Sequence, residues 1–163
     1  MSLLTWCQWL EQTSLAVAIS ESVWLFPIIE GAHILALPLS VGMILMFDLR
    51  LLGLAFQEGS ASRLMRDVVR WSKFGFVVMF ITGVLLFMTH ASQAYGNVFF
   101  RTKLVFLLLL GINAAVFQIV FYPNMARWEA GGGTPFGARV CGGLSLIVWL
   151  GVIICGRTMA YTL

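Results

Sequence analysis

Apolar residues in this chain come in long unbroken runs, and polar residues gather in short clusters between them. Four runs reach the roughly 20 residues that a helix needs to cross a bilayer core. They cover residues 23–47, 71–90, 99–122 and 138–161. Pro38 lies inside the first run and removes the helical hydrogen bond to the Ile34 carbonyl, which predicts a local kink. Asp48 and Arg50 close that run. Residues 51–70 begin apolar, turn at Glu58-Gly59-Ser60, and then offer Ser62 as the cap of a short amphipathic helix bearing Arg63, Arg66 and Arg70. Residues 91–97 read as a short polar loop, Pro123 ends the third span, and the Gly-rich residues 131–135 form a flexible loop.

Ahead of the spans, residues 2–20 place Leu3, Leu4, Trp6, Cys7 and Leu10 at helical spacing among Gln8, Glu11 and Gln12. This predicts one surface helix, or two short ones, lying in the membrane interface, with Trp6, Trp9 and Trp24 at headgroup level. Residues 1–163 thus read as a single integral membrane domain. Its fold class is all-α, an antiparallel four-helix transmembrane bundle with an N-terminal interfacial amphipathic helix. Gly42, Gly75, Gly83, Gly111, Gly142, Gly143 and Gly151 are the positions where helices should approach closely.

Composition strengthens this reading. Of 163 residues, 60% are hydrophobic and 10% charged, where a soluble domain carries about 25% charged residues. With 13% aromatics and a mean hydropathy of +0.94, the chain is also too apolar to be disordered. The net charge of +3 comes from scattered Lys and Arg with no basic run, so a nucleic-acid partner is excluded. Sorted by side, Arg50, Arg63, Arg66, Arg70, Lys73, Arg127 and Arg139 share one face of the membrane, and Arg101, Lys103 and Arg157 the other. The positive-inside rule places the first face in the cytoplasm of a bacterial inner membrane and both termini in the periplasm. The first 20 residues lack a basic start and contain Glu11, so no cleavable signal peptide is expected.

Few residues offer chemistry. Cys7, Cys141 and Cys155 form no C-x-x-C pair, and the last two are 14 residues apart on one span, about 21 Å along a helix, so they read as buried apolar thiols. No nucleophile–base pair, phosphate loop or H-E-x-x-H motif is present, and no catalytic residue is assigned. The two histidines, His33 and His90, both lie in or at the end of spans, where an ionisable group is a functional candidate. His33 lies 15 residues from Asp48, about 22 Å above the basic face, and His90 lies 17 residues from Lys73, about 25 Å above it. Matched heights on antiparallel neighbours suit haem b held by two imidazoles, with Ala36, Ser40, Gly75, Met79 and Gly83 near the macrocycle and Phe26, Phe76 and Phe87 at its edges. Arg157, Arg101 and Lys103 stand at the same level and suit the two propionates, with Tyr161 one turn from Arg157.

The alternatives stay open. Each histidine could instead hydrogen-bond a neighbouring helix, and Arg157 could pair with Glu30. Glu30-x-x-His33 occurs once, too few for a di-iron site. Met43, Met46, Met79 and Met88 beside the histidines keep copper handling as a third possibility, because thioethers suit Cu(I).

Glu30-Gly-Ala-His33-Ile with Gly42, Asp48-Leu-Arg50-Leu-Leu-Gly53, Phe100-Arg-Thr-Lys103-Leu with Asn113, and Gly156-Arg157 with Tyr161 together resemble a family of small four-span bacterial membrane proteins of unknown function. The likeness covers nearly the whole chain. The span with Lys103 and Asn113 is also distantly similar to CopD-type copper-resistance proteins and HemJ-type protoporphyrinogen oxidases, four-span haem proteins with a histidine on the first span and a lysine opening a later one. That likeness implies haem or porphyrin as ligand, through His33 and Lys103. A family histidine that often ends the third span is Gln118 here, and His90 is not a regular family feature. The resulting expectation is a b-type haem protein carrying electrons between a membrane donor, a quinone or a dehydrogenase, and a periplasmic acceptor, an electron-transfer or accessory subunit more than a stand-alone enzyme. The competing expectation is a cofactor-free subunit that anchors a larger membrane complex.

Overall fold

The computed structural model describes residues 2–131 and 133–162, so Gly132 of the Gly-rich loop lies outside the described residues. Contiguous helical segments make seven helices, and no strand occurs among the described residues. These are α1 (Leu3–Glu11), α2 (Ser14–Glu21), α3 (Leu25–Leu51), α4 (Ala61–Thr89), α5 (Ala91–Gly96), α6 (Val98–Trp128) and α7 (Phe136–Thr162). α3, α4, α6 and the Phe136–Met159 part of α7 are long and apolar enough to cross a membrane.

The spans are longer than hydropathy alone predicts. Residues 61–73 contain neither Gly nor Pro, and Met65, Val68 and Ser72 are buried along one face. Nothing stops the helix there, so the expected separate amphipathic segment is the first part of α4, which runs for 29 residues. Its cap is Ser60, not Ser62: the Ser60 hydroxyl accepts from the Arg63 amide at 3.4 Å. Residues 91–96 are also helical, because Ala91 is fully buried and the Glu11 carboxylate accepts from the Ser92 amide and hydroxyl at 2.8 and 2.7 Å. That contact, with Cys7 and Leu10 packed against Ala91, fastens the N-terminal helices to the α4–α6 connection. Trp6, Trp9 and Trp24 are exposed.

Pro27 sits in the first turn of α3, where its missing donor costs nothing, and the two prolines deeper in the spans are absorbed. α3 widens into a π turn at Pro38–Gly42. α6 does so at Phe117–Phe121, and a 3₁₀ turn at Tyr122–Asn124 then carries it past Pro123. Such turns accommodate a missing or misplaced donor without ending the helix. The π turn of α3 also makes the tightest helix crossing. A Cβ on Gly75 of α4 would lie 2.8 Å from both Cβ and N of Ser40. Ser40 is fully buried; its hydroxyl donates to the Ala36 carbonyl at 2.8 Å, and its own carbonyl accepts from the Ser72 hydroxyl at 3.0 Å. Gly142 and Gly151 do similar work for α7. A Cβ there would meet the Asp48 carbonyl at 3.2 Å and the Phe106 ring at 2.6 Å. A Cβ on Gly111 would meet nothing within 4 Å.

α4 packs on α3, α3 on α7, and α7 on α6. α4 and α6 meet at their ends. At one end Phe87 stacks on Phe100 with centroids 5.4 Å apart; at the other, buried Met125 joins Ala61, Met65 and Val68. Arg50, counted above among the topology charges, is buried and donates to the carbonyls of Phe56, Glu58 and Gly59. It holds a loop that needs positive φ at Gly53, Phe56 and Gly59.

Replacing Gly75 by Ala is expected to destabilise the bundle by about 1–3 kcal/mol, because backbone atoms of Ser40 must yield. Gly111→Ala should leave stability unchanged or slightly raised. Thermal unfolding of the two variants in detergent checks the contrast.

Candidate functional site

The predicted site residues separate into one group that meets and three that do not. His33 reaches from α3 to α4. Its Nδ1 lies 2.8 Å from the Thr82 hydroxyl, which itself donates to the Val78 carbonyl at 2.7 Å. With that proton committed, the tautomer that fits has Nδ1–H donating to Thr82 and Nε2 as the unprotonated nitrogen, with the Met79 backbone also within hydrogen-bonding reach of the imidazole. A Cβ on Gly83 would come within 3.3 Å of the imidazole, so the absence of a side chain there is what seats the ring against α4. Lys103, half-buried on α6, lies within electrostatic range of His33 and of Cys155 on α7, and its Nζ is 3.6 Å from where a Gly156 Cβ would stand. His33 on α3, Thr82 and Gly83 on α4, Lys103 on α6 and Gly156 on α7 thus bring one imidazole and one ammonium into the same region of the bundle.

His90 is elsewhere. It stands at the end of α4, its Nδ1 2.9 Å from the Thr89 hydroxyl and its ring edge-on to Phe26 at 5.8 Å. Eight residues separate it from Thr82, about 12 Å along the helix. The predicted matched height assumed that Asp48 and Lys73 are level. The α3–α4 register is instead set by Ser40 against Ser72 and Gly75, which puts His33 two turns from His90. Arg101 donates through Nε to the Tyr95 carbonyl at 2.9 Å and lies over that ring. Arg157 lies over Tyr161 at 5.0 Å. Both arginines are exposed, so Lys103 is the predicted propionate partner that turns inward. The described residues contain no group of three His, Cys, Asp or Glu able to hold a metal ion.

A second polar region was not singled out from sequence. In the half of the bundle toward the basic face, a cavity of about 370 Å³ lies in the seam between α4 and α6, with α3 and α7 as its floor. Asp48, only 5% exposed, lines it. Ser145 hydrogen-bonds this carboxylate, yet Oδ2 has no partner among the described residues. Asn113 also lines the cavity and donates to the Cys141 carbonyl at 3.0 Å. The available signal was three polar residues, Asp48, Asn113 and Ser145, within apolar runs. Asp48 read as the end of a span because the true end is Leu51.

Fold and polar centre together define a small polytopic membrane protein with buried ionisable groups inside a four-helix bundle. The chain belongs to the family described as "Family of unknown function (DUF6644)", which matches residues 9–162. No curated protein and no solved structure matches it, so the more distant likeness to CopD-type and HemJ-type proteins finds no support there.

Arg50 and Lys103 should differ on substitution. Arg50→Met removes the donor to three loop carbonyls and is expected to cost about 1–3 kcal/mol. Lys103→Met removes an ammonium with no ion-pair partner among the described residues and should leave stability equal or higher, as expected of a residue kept for function. Thermal midpoints of the two purified variants provide the check.

Proposed function

We propose that the protein is a b-type haem membrane protein that passes electrons between a membrane donor and an acceptor on the outer face of a bacterial inner membrane. The observation that carries the reading is His33, whose unprotonated Nε2 and fixed ring orientation suit an iron ligand, beside an inward ammonium with no ion-pair partner among the described residues. His33 would supply the axial nitrogen, and Lys103 would neutralise a propionate. Bound there, the haem would supply one-electron chemistry. His90 is not the second ligand in this reading, because Thr89 and Phe26 hold it two turns away. The Lys and Arg distribution supports periplasmic termini, which put His33 and Lys103 toward the outer face.

A reduced-minus-oxidised absorption spectrum with haem extraction tests this. Wild type and His90→Ala should show about one haem per chain, His33→Ala none. Thr82→Val should weaken retention by about 10- to 100-fold through loss of the tautomer-fixing contact. Folded wild-type protein from haem-sufficient cells with no porphyrin absorbance would overturn the assignment in favour of an accessory subunit, or of copper handling if elemental analysis finds that metal.

A further inference from the structure

We propose that the seam between α4 and α6 is a binding site for the head of a lipid-soluble hydroquinone, reached from within the bilayer. The inference deepens the proposed function by placing its membrane donor, and it rests on that reading only for the destination of the electrons. Three observations carry it. The cavity of about 370 Å³ falls in the range of about 300–1,000 Å³ typical of small-molecule sites. It opens where two consecutive spans part, so its ligand is one that partitions into lipid. Inside it, Asp48 Oδ2 is a buried acceptor with no donor among the described residues, and buried acceptors are ordinarily satisfied.

The other lining groups narrow the ligand class. Phe47, Phe117 and Trp149 present aromatic surface suited to a flat ring. Lys73 lines the cavity and is itself exposed, which puts its cation at the rim. A cation there disfavours a cationic amphiphile, which Asp48 alone would attract. It favours a head that donates at one end and accepts at the other. A hydroquinone has that pattern: one hydroxyl donates to Asp48 Oδ2, and the opposite oxygen accepts from Lys73. The gap persists because Gly111, in its lining, has no neighbour within 4 Å of where a Cβ would stand.

The test is equilibrium binding of decylubiquinol, and separately of decylubiquinone, to purified protein in phospholipid nanodiscs under argon, read by tryptophan quenching. Asp48→Asn keeps the shape but replaces the acceptor with an amide. It should weaken quinol binding by about tenfold or more while leaving quinone binding undiminished. Gly111→Leu should fill the gap and abolish both. No saturable quinol binding by wild type, unchanged quinol binding in either variant, or equal displacement by an added phospholipid would overturn the proposal. Saturable binding in protein without a haem spectrum would support this site and sink the haem reading. A haem spectrum without quinol binding would do the reverse.

Discussion

The register of the bundle depends on the contact between Ser40 and Gly75. Membrane helices gain little from burying apolar surface against one another, since lipid is equally apolar. Close approach and satisfied backbone groups must then fix how they meet. Here Pro38 forces α3 into a π turn, the turn brings the Ser40 carbonyl to the partner helix, and Ser72 donates to it. A glycine at position 75 is what permits the backbones to come that near. Both polar regions inherit their geometry from this crossing. One turn-pair above it, His33 meets Thr82 and Gly83; below it, Asp48 faces the seam.

The same crossing shows why some features were legible in the sequence and others were not. Span number and type follow from composition, because nothing except a membrane helix suits some twenty apolar residues in a row. The small-residue positions were readable in part: Gly75, Gly83, Gly142 and Gly151 lie where a Cβ would crowd a neighbouring helix, whereas Gly42, Gly111 and Gly143 have room for one. Span ends were less so. Hydropathy marks where a helix leaves lipid, not where it stops, and α4 begins at Ala61, ten residues before its apolar run. That offset undid the matched heights of His33 and His90. Depth had been counted from Asp48 and Lys73 as if both marked one membrane plane, whereas the helices are aligned through Ser40.

Counting residues put His33 and Lys103 at one level, and only the likeness to HemJ-type proteins singled out the two together; their geometry could not be read from either. A sequence shows which positions are ionisable, not which face of each helix meets which partner. The inward turn of Lys103, against the outward turns of Arg101 and Arg157 onto Tyr95 and Tyr161, is decided by packing. Gly156 leaves room on α7 for the lysine stem, while Arg101, two residues earlier on α6, faces α5.

The two polar regions lie on opposite sides of the Ser40–Gly75 crossing, and this division has a physical consequence. Packed helix interfaces are dry and closely fitted, so the crossing separates the outer polar centre from the seam. Met79 occupies part of that boundary, its sulfur 3.0 Å from the Ser40 hydroxyl oxygen. His33, Thr82, Met79, Ser40 and Ser72 touch in series from the imidazole to the cavity wall, but Met79 carries no exchangeable proton and interrupts the series. A proton released at one region therefore has no built path to the other, whereas electron transfer needs no such contact and tolerates an apolar intervening layer. Under the proposed function, the closed crossing would hold a proton released by a ligand in the seam apart from an electron passed on near His33, with the packed layer around Ser40 and Gly75 as the barrier.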